Sequence, residues 1–414
     1  MLPPLSPLAP SAQPLLHPVP GVRLAVAQTG ERYKGRPDLL LMTFAAGSRA
    51  AGVFTRSSTP GAPVVWSRRA LAESGGRTAA VVVNAGNANA FTGKHGSRTT
   101  EAVGRAVAEA AGCPAEEVLQ ASTGVIGVPL APETLTAFLP ALFAGQAEGG
   151  QAWAAAAEAI RTTDTFPKAA SRQCQIDGVT VTLTGIAKGS GMIQPNMGTM
   201  LAFVATDADL PAPLLEGLLM AGCDRSFNAI TVDSDTSTSD TLILVASGRA
   251  GHRPVLDDAD PRLLGFKETL EGLLLELALL VVRDGEGAQK LISIRVTGAA
   301  DAAAARRIGL AIANSPLVKT AIAGADANWG RVVMAIGKSG EKADQSRIAI
   351  SMGGVAVARD GARVEGYDET PVAEHLRGQE IEIDVDVGVG RGEAQVWTCD
   401  LTHGYIDINA DYRS

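Results

Sequence analysis

The five histidines, His17, His95, His252, His375 and His403, sit in no GxSxG, HExxH or Cys/His setting, which disfavours a hydrolase driven by histidine. A hydroxyl can be activated in another way. If the backbone breaks just before a Ser, Thr or Cys, the new α-amino group, with an ordinary pKa of about 7.7–8.0, serves as base to the side chain of its own residue. Such a nucleophile belongs at the start of a strand, after a small residue, in a loop that tolerates unusual backbone geometry. The run GSGMIQPNMGTMLAF supplies this: Gly189, Gly191 and Gly198 free the backbone, Pro195 stiffens the approach, and Thr199 opens an apolar strand. On residue types alone the plainer reading is a glycine-rich connection between strands with an ordinary threonine.

Other motifs dissolve on inspection. GVGRGEAQ (388–395) has the glycines of a dinucleotide loop but lies between two strand-like runs with no helix after it, so a hairpin turn is expected. Gly337-Lys338-Ser339 ends like a phosphate loop, yet Val332 stands where that loop needs glycine. Asp233, Asp235 and Asp240 cluster without the glycine and distal glutamate of a calcium loop, and a polar loop built on Asx and Ser/Thr turns is expected there.

The elements that must position Thr199 alternate between strand and helix, which predicts the α/β class. Strands are expected at 22–28, 39–44, 79–83, 118–120, 179–186, 200–206, 241–246, 291–296, 331–336, 348–352, 381–387 and 393–399. Helices are expected at 100–111, 133–143, 152–161, 212–223, 261–282 and 302–313. No internal repeat or low-complexity linker marks a boundary, and Thr199 is the natural seam. The expected parts are a Pro-rich flexible tail at 1–20, an N-terminal fragment at 21–198 and a C-terminal fragment at 199–414.

Composition narrows the partners. A net charge of −8 gives neither a basic footprint for nucleic acid nor a polybasic patch for anionic membrane, so small-molecule partners are expected. The apolar run 273–282 is too short to span a bilayer and carries Glu276. Residues 1–20 hold seven prolines and no Lys or Arg, unlike a secretory signal or an Arg-rich transit peptide. Cys113, Cys174, Cys223 and Cys399 form no CxxC pair and suit reduced thiols, which points to the cytoplasm.

KGSGMIQPNMGTMLAF resembles the self-processing segment of the ornithine acetyltransferases, also called glutamate N-acetyltransferases. Seven further blocks resemble that family in family order: VVVNAGNANAFTG, STGVIG, DTFPK, FNAITVDSDTSTSDT, VVRDGEGAQK, IANSPLVKTAIAGADANWGR and the terminal DLTHGYIDINADYRS. The family usually cleaves between alanine and threonine, whereas Gly198 precedes Thr199 in this chain. Glycine removes a side chain beside the strained carbonyl and so should not block attack by the threonine hydroxyl, while its greater backbone freedom slows the ester-forming rearrangement.

The resemblance implies a layered α/β sandwich of the self-processing, N-terminal-nucleophile-like type, with Thr199 on an inner strand and the two fragments paired into a heterotetramer. It implies that Thr199 is the nucleophile and that Thr123 and Gly124 stabilise the oxyanion through a hydroxyl and a backbone N–H. Acyl transfer needs such donors, each worth about 2.7–4 kcal/mol of barrier. It further implies substrate contacts from Thr165, Lys188, Thr199, Glu286, Asn409 and Ser414. Lys188 suits an α-carboxylate and Glu286 a side-chain ammonium. Contact from Ser414 would mean that the terminus folds over the site.

The implied reaction moves acetyl from N-acetylornithine to glutamate, giving ornithine and N-acetylglutamate, with no metal or redox cofactor. Acetyl-CoA is a second donor in some members of the family. Two rivals predict different outcomes. A self-processed aminopeptidase of the related fold group releases amino acids from peptides, and an unprocessed binding protein runs as one band on a denaturing gel.

Overall fold

The computed structural model describes residues 4–194 and 200–410, so Gly198, Thr199 and Ser414 lie outside the described residues. The chain forms two compact units. The first comprises Ser11–Asn228 and Asp235–Val281; the second comprises Met1–Pro10, Ala229–Ser234 and Val282–Ser414. The 198/199 junction is therefore not a boundary between units. It falls inside the first.

The first unit holds β1 (Val22–Ala27), β2 (Leu39–Phe44), β3 (Arg49–Phe54), β4 (Ala80–Asn87), β5 (Val118–Val125), β6 (Lys168–Ile176), β7 (Val179–Lys188), β8 (Leu201–Thr206) and β9 (Thr241–Ala246). They make two sheets, of order β1-β2-β4-β5 and β3-β9-β8-β7-β6. Side chains alternate across a strand, and both faces of the first sheet are covered. Leu40, Met42, Val81, Val83 and Leu119 point into a core shared with Ile186, Phe203 and Val245 of the second sheet, where Trp66 of helix Ala62–Ser74 and Trp153 of helix Gly150–Ala159 also sit. Leu39, Leu41, Val82 and Val118 point the other way, onto Val103 and Val107 of helix Gly93–Ala111. Burial on both faces explains why residues 39–42 of β2 and 80–83 of β4 read as unbroken apolar runs. This is a layered α/β arrangement, as expected.

The second unit is one sheet of order β13-β12-β11-β14-β10-β15, built from β10 (Leu291–Ala299), β11 (Ala349–Met352), β12 (Val355–Arg359), β13 (Ala362–Arg363), β14 (Glu380–Asp386) and β15 (Gly392–Cys399). Ile292, Ile294, Ile381, Ile383 and Val396 face Ile308, Ile312, Ile322, Val332 and Ile336 of three helices.

Four expectations fail. Residues 331–336 form part of the helix Trp329–Gly337 rather than a strand. Val332, Ala335 and Ile336 are buried at i, i+3 and i+4 while Met334 is exposed, a spacing that the short unbroken apolar run 332–336 conceals. The turn 388–395 closes no hairpin, because β10 lies between β14 and β15 and pairs with both. The helix expected at 133–143 is two, Glu133–Thr136 and Leu139–Ala144, the second with Pro140 in its first turn, where the missing N–H is harmless.

The fourth concerns the tail. Residues 4–20 are held, not loose. In the second unit Leu8 is buried and Ser6 Oγ donates to Arg283 O at 2.6 Å. In the first unit Val19 is 1% exposed, His17 N donates to Ser171 Oγ at 3.1 Å, and Thr184 Oγ1 donates to His17 O at 2.8 Å. The prolines suit a segment outside helix and strand, since each removes an N–H that would otherwise need a partner.

Candidate functional site

STGVIG is not a free turn: Ser122, Thr123 and Gly124 are residues of β5, which runs parallel to β4 with Thr123 opposite Ala85 and Gly124 opposite Gly86. The two backbones approach so closely at this rung that a Cβ on Gly124 would lie 2.2 Å from Gly86 C and 2.5 Å from Gly86 O. Gly124 also has φ 129, outside the range of L side chains, so only glycine fits. Its neighbours fix their hydroxyls differently. Ser122 Oγ donates to Asn84 Oδ1 at 2.5 Å, whereas Thr123 Oγ1 accepts from Lys188 Nζ at 3.2 Å.

Lys188 ends β7 and pairs with Leu201, the first residue of β8. Both Thr123 and Lys188 are buried. The segment before β6 completes the surroundings. Asp164 accepts from Gly189 N at 2.7 Å, from Thr162 N at 2.9 Å and from Lys168 Nζ at 2.6 Å, with Asp164 and Lys168 both fully buried. Burial pushes the Asp164 carboxyl up, but Lys168, Lys188 and the Gly189 N–H together pull it below the ordinary carboxylate range. A depressed carboxylate contributes stability above its unfolded pKa of about 3.9, and that contribution is lost as pH falls below it. Thr163 Oγ1 and Ser190 Oγ share a hydrogen bond of 2.6 Å, and Thr165 is half-buried between Asp164 and Phe166.

Asp240 lies where a polar loop was expected, yet it is 1% exposed. It immediately precedes β9, where Thr241 N donates to Met200 O at 3.0 Å. Neither carboxyl oxygen has a hydrogen-bond partner among the described residues, and the Thr55 hydroxyl is given to Ser237 O at 2.7 Å. Burial raises this carboxyl well above the ordinary range and outweighs the opposing Lys188 charge. A raised carboxyl makes folding less favourable as pH climbs past about 3.9, since the folded chain keeps a proton that the unfolded chain releases. Asp240→Asn is therefore expected to raise the melting temperature at pH 7 by a few degrees, since the amide has no proton that the unfolded chain would release. The gain vanishes near pH 4. Calorimetry between pH 4 and 8 checks it, and an unchanged or lower melting point at pH 7 counts against it.

In the second unit Glu286 is 9% exposed and accepts from Asn409 Nδ2 at 2.7 Å. Helix His403–Ala410 is docked by Thr402 Oγ1, which donates to Gly287 O at 2.7 Å. Gly287 has φ 75, and a Cβ there would meet Tyr405 N at 2.4 Å, so the glycine in DGEG lets this helix close on the loop that carries Glu286. Thus Thr123 is joined to Lys188 in the first unit, and Glu286 to Asn409 in the second. Among the described residues no cluster of three or more His, Cys, Asp or Glu could hold a metal, and no helix is long and apolar enough to cross a membrane. Asp164 and Lys168 escaped the sequence reading, and Asp240 was read only as part of a polar loop. The i, i+4 spacing of Asp164 and Lys168 in DTFPK was the only hint.

The ArgJ family model matches residues 23–414. The chain belongs to the ArgJ family. Among curated ArgJ relatives, the arginine biosynthesis bifunctional protein of Gluconobacter oxydans (strain 621H) is 58% identical over 410 residues, covering 99% of this chain and 96% of that protein. The protein of the same name from Mesorhizobium japonicum is 52% identical over 415 residues, covering 99% of both. A solved ornithine acetyltransferase from Mycobacterium tuberculosis, complexed with ornithine, is 33% identical with a TM-score of 0.37, covering 46% of this chain and 95% of that one. Membership of the ArgJ family favours the arginine-biosynthesis reading over the aminopeptidase one.

Proposed function

We propose that this ArgJ-family chain cuts itself between Gly198 and Thr199 and then carries acetyl from N-acetylornithine to glutamate through an acetyl ester on Thr199, in arginine biosynthesis. One observation supports it most. Thr123, the proposed oxyanion donor, is hydrogen-bonded to Lys188, and Lys188 is the register partner of Leu201, two residues along the chain from Thr199. The sheet that receives the nucleophile strand therefore carries the group bonded to the oxyanion hydroxyl.

In the first step Thr199 Oγ attacks the Gly198 carbonyl, the amide becomes an ester with a free α-amine, and water hydrolyses the ester. In the second, Thr199 Oγ attacks the acetyl carbonyl, its α-amine takes the hydroxyl proton, and the developing oxyanion receives the Thr123 hydroxyl and the Gly124 N–H. The same proton leaves with ornithine. Glutamate reverses the sequence and departs as N-acetylglutamate. A covalent intermediate splits one hard transfer into two easier ones. The Lys188 ammonium suits an α-carboxylate and the Glu286 carboxylate the ornithine ammonium, with Thr165, Asn409 and Ser414 as further contacts. Two copies of each fragment form the working heterotetramer, in the cytoplasm, with acetyl-CoA as a possible second acetyl donor.

Intact-mass measurement of purified protein, paired with an assay of N-acetylornithine and glutamate, tests this directly. A fragment beginning at Thr199 and ornithine release that depends on glutamate are expected. Full transfer by a chain intact across 198/199 overturns the reading. Replacing N-acetylornithine by acetyl-CoA in the same assay decides the second donor.

A further inference from the structure

A hydroxyl serves an oxyanion only if its single proton is aimed outward, and a lone threonine side chain turns freely enough to aim it elsewhere. Ser122 illustrates the alternative, its proton committed inward to Asn84 Oδ1. Thr123 is different. Its Oγ1 faces the ammonium of Lys188 at 3.2 Å, and an ammonium has donors only, so Thr123 is the acceptor in that bond. Among the described residues no acceptor takes the Thr123 proton.

The cation is itself held in place. Gly189, next along the chain from Lys188, gives its N–H to Asp164 Oδ1 at 2.7 Å, and Asp164 is locked in a fully buried pair with Lys168 at 2.6 Å. Antiparallel pairing of Lys188 with Leu201 fixes the strand end from the other side. Lys188 is 8% exposed, so its charge is poorly screened and its bond to Thr123 is a charge-assisted one.

We propose that Lys188 is a positioning residue for the oxyanion hydroxyl: by donating to Thr123 Oγ1 it leaves Thr123 able to point its proton only toward the developing oxyanion, with Asp164 fixing Lys188 through the Gly189 amide. This deepens the acetyl-transfer reading and rests on it. It differs from a substrate clamp, because a positioning role acts on every acyl donor, including one with no carboxylate to clamp.

p-Nitrophenyl acetate is such a donor. Thr199 Oγ forms the new bond to the acetyl carbon, p-nitrophenolate leaves with its electron pair, and the Thr199 α-amine takes the proton. The burst amplitude counts processed sites and its rate constant reports acylation alone. Lys188→Met is expected to slow the burst by about 10-fold or more, up to the roughly 10²–10³-fold expected for Thr123→Ala. The double variant is expected to be no slower than Thr123→Ala, because the two residues act through one hydroxyl. An unchanged burst in Lys188→Met with a raised KM for N-acetylornithine overturns the proposal in favour of a clamp, and so do fully multiplicative losses. Should Lys188→Met stay unprocessed, Lys188→Arg carries the test: it keeps a cation of different reach, and a burst rate equal to that of the unaltered protein overturns the proposal. Absence of any burst or acetyl transfer in the unaltered protein would fail the acetyl-transfer reading instead, a separate result.

Discussion

Replacing Thr199 by alanine leaves one full-length chain on a denaturing gel and abolishes acetyl transfer. Both effects have one cause. In the proposed mechanism the hydroxyl is the attacking atom in the backbone cleavage and again in the transfer, and without cleavage no α-amine exists to take its proton. Loss of a covalent nucleophile from a site that works as a unit is on the order of 10⁶ in kcat, which places the variant at background. Folding is expected to survive, since the pairing of β8 with β7 and β9 runs over Leu201–Thr206. Thr199→Ser separates the hydroxyl from the methyl group: some cleavage and some activity are expected. Full transfer by the alanine variant would end the proposed mechanism.

Gly124→Ala is the second large effect, and it acts through the backbone. The added Cβ would meet Gly86 C at 2.2 Å and Asn87 N at 2.6 Å, atoms that cannot rotate away, at a φ of 129 that alanine resists. The parallel pair β4 and β5 must part. Since Thr123 sits one residue back on β5, its hydroxyl moves with the strand, and the Gly124 N–H moves too. Loss of about 10²–10³ in kcat is expected from the oxyanion donors, with destabilisation of roughly 3 kcal/mol or more from the strained backbone. Steady-state kinetics with N-acetylornithine and a thermal melt measure the two parts separately. A variant with the kcat and melting point of the unaltered protein would show that the close strand approach has no consequence.

The sequence made some elements legible to the residue and hid others, for identifiable reasons. Leu39–Phe44, Thr241–Ala246 and Ala302–Ala313 were read at their observed bounds because each apolar run is closed by turn-forming or capping residues, Asp301 capping the last through Ala304 N. β6 was missed because its middle, SRQCQ, is partly exposed and polar. The fixed N-terminal segment was missed because composition reports nothing about distant partners such as Ser171 for His17. The same limit applies to the candidate site. Thr123 and Lys188 were assigned separate tasks, and only the fold puts one ammonium against the other hydroxyl. Asp240 looked like one more polar residue in a serine- and threonine-rich stretch until β9 buried it.

The order β3-β9-β8-β7-β6 has a thermodynamic consequence. β8 and β9 follow the 198/199 peptide bond, and both edges of that two-strand ribbon are occupied by strands that precede it, β7 on one side and β3 on the other. Severing that bond turns an intramolecular melting equilibrium into a dissociation of unlike polypeptides, whose midpoint depends on concentration. The mature enzyme should melt earlier as it is diluted, while its uncut Thr199→Ala counterpart, free of that mass-action term, depends on dilution only through any association between whole chains.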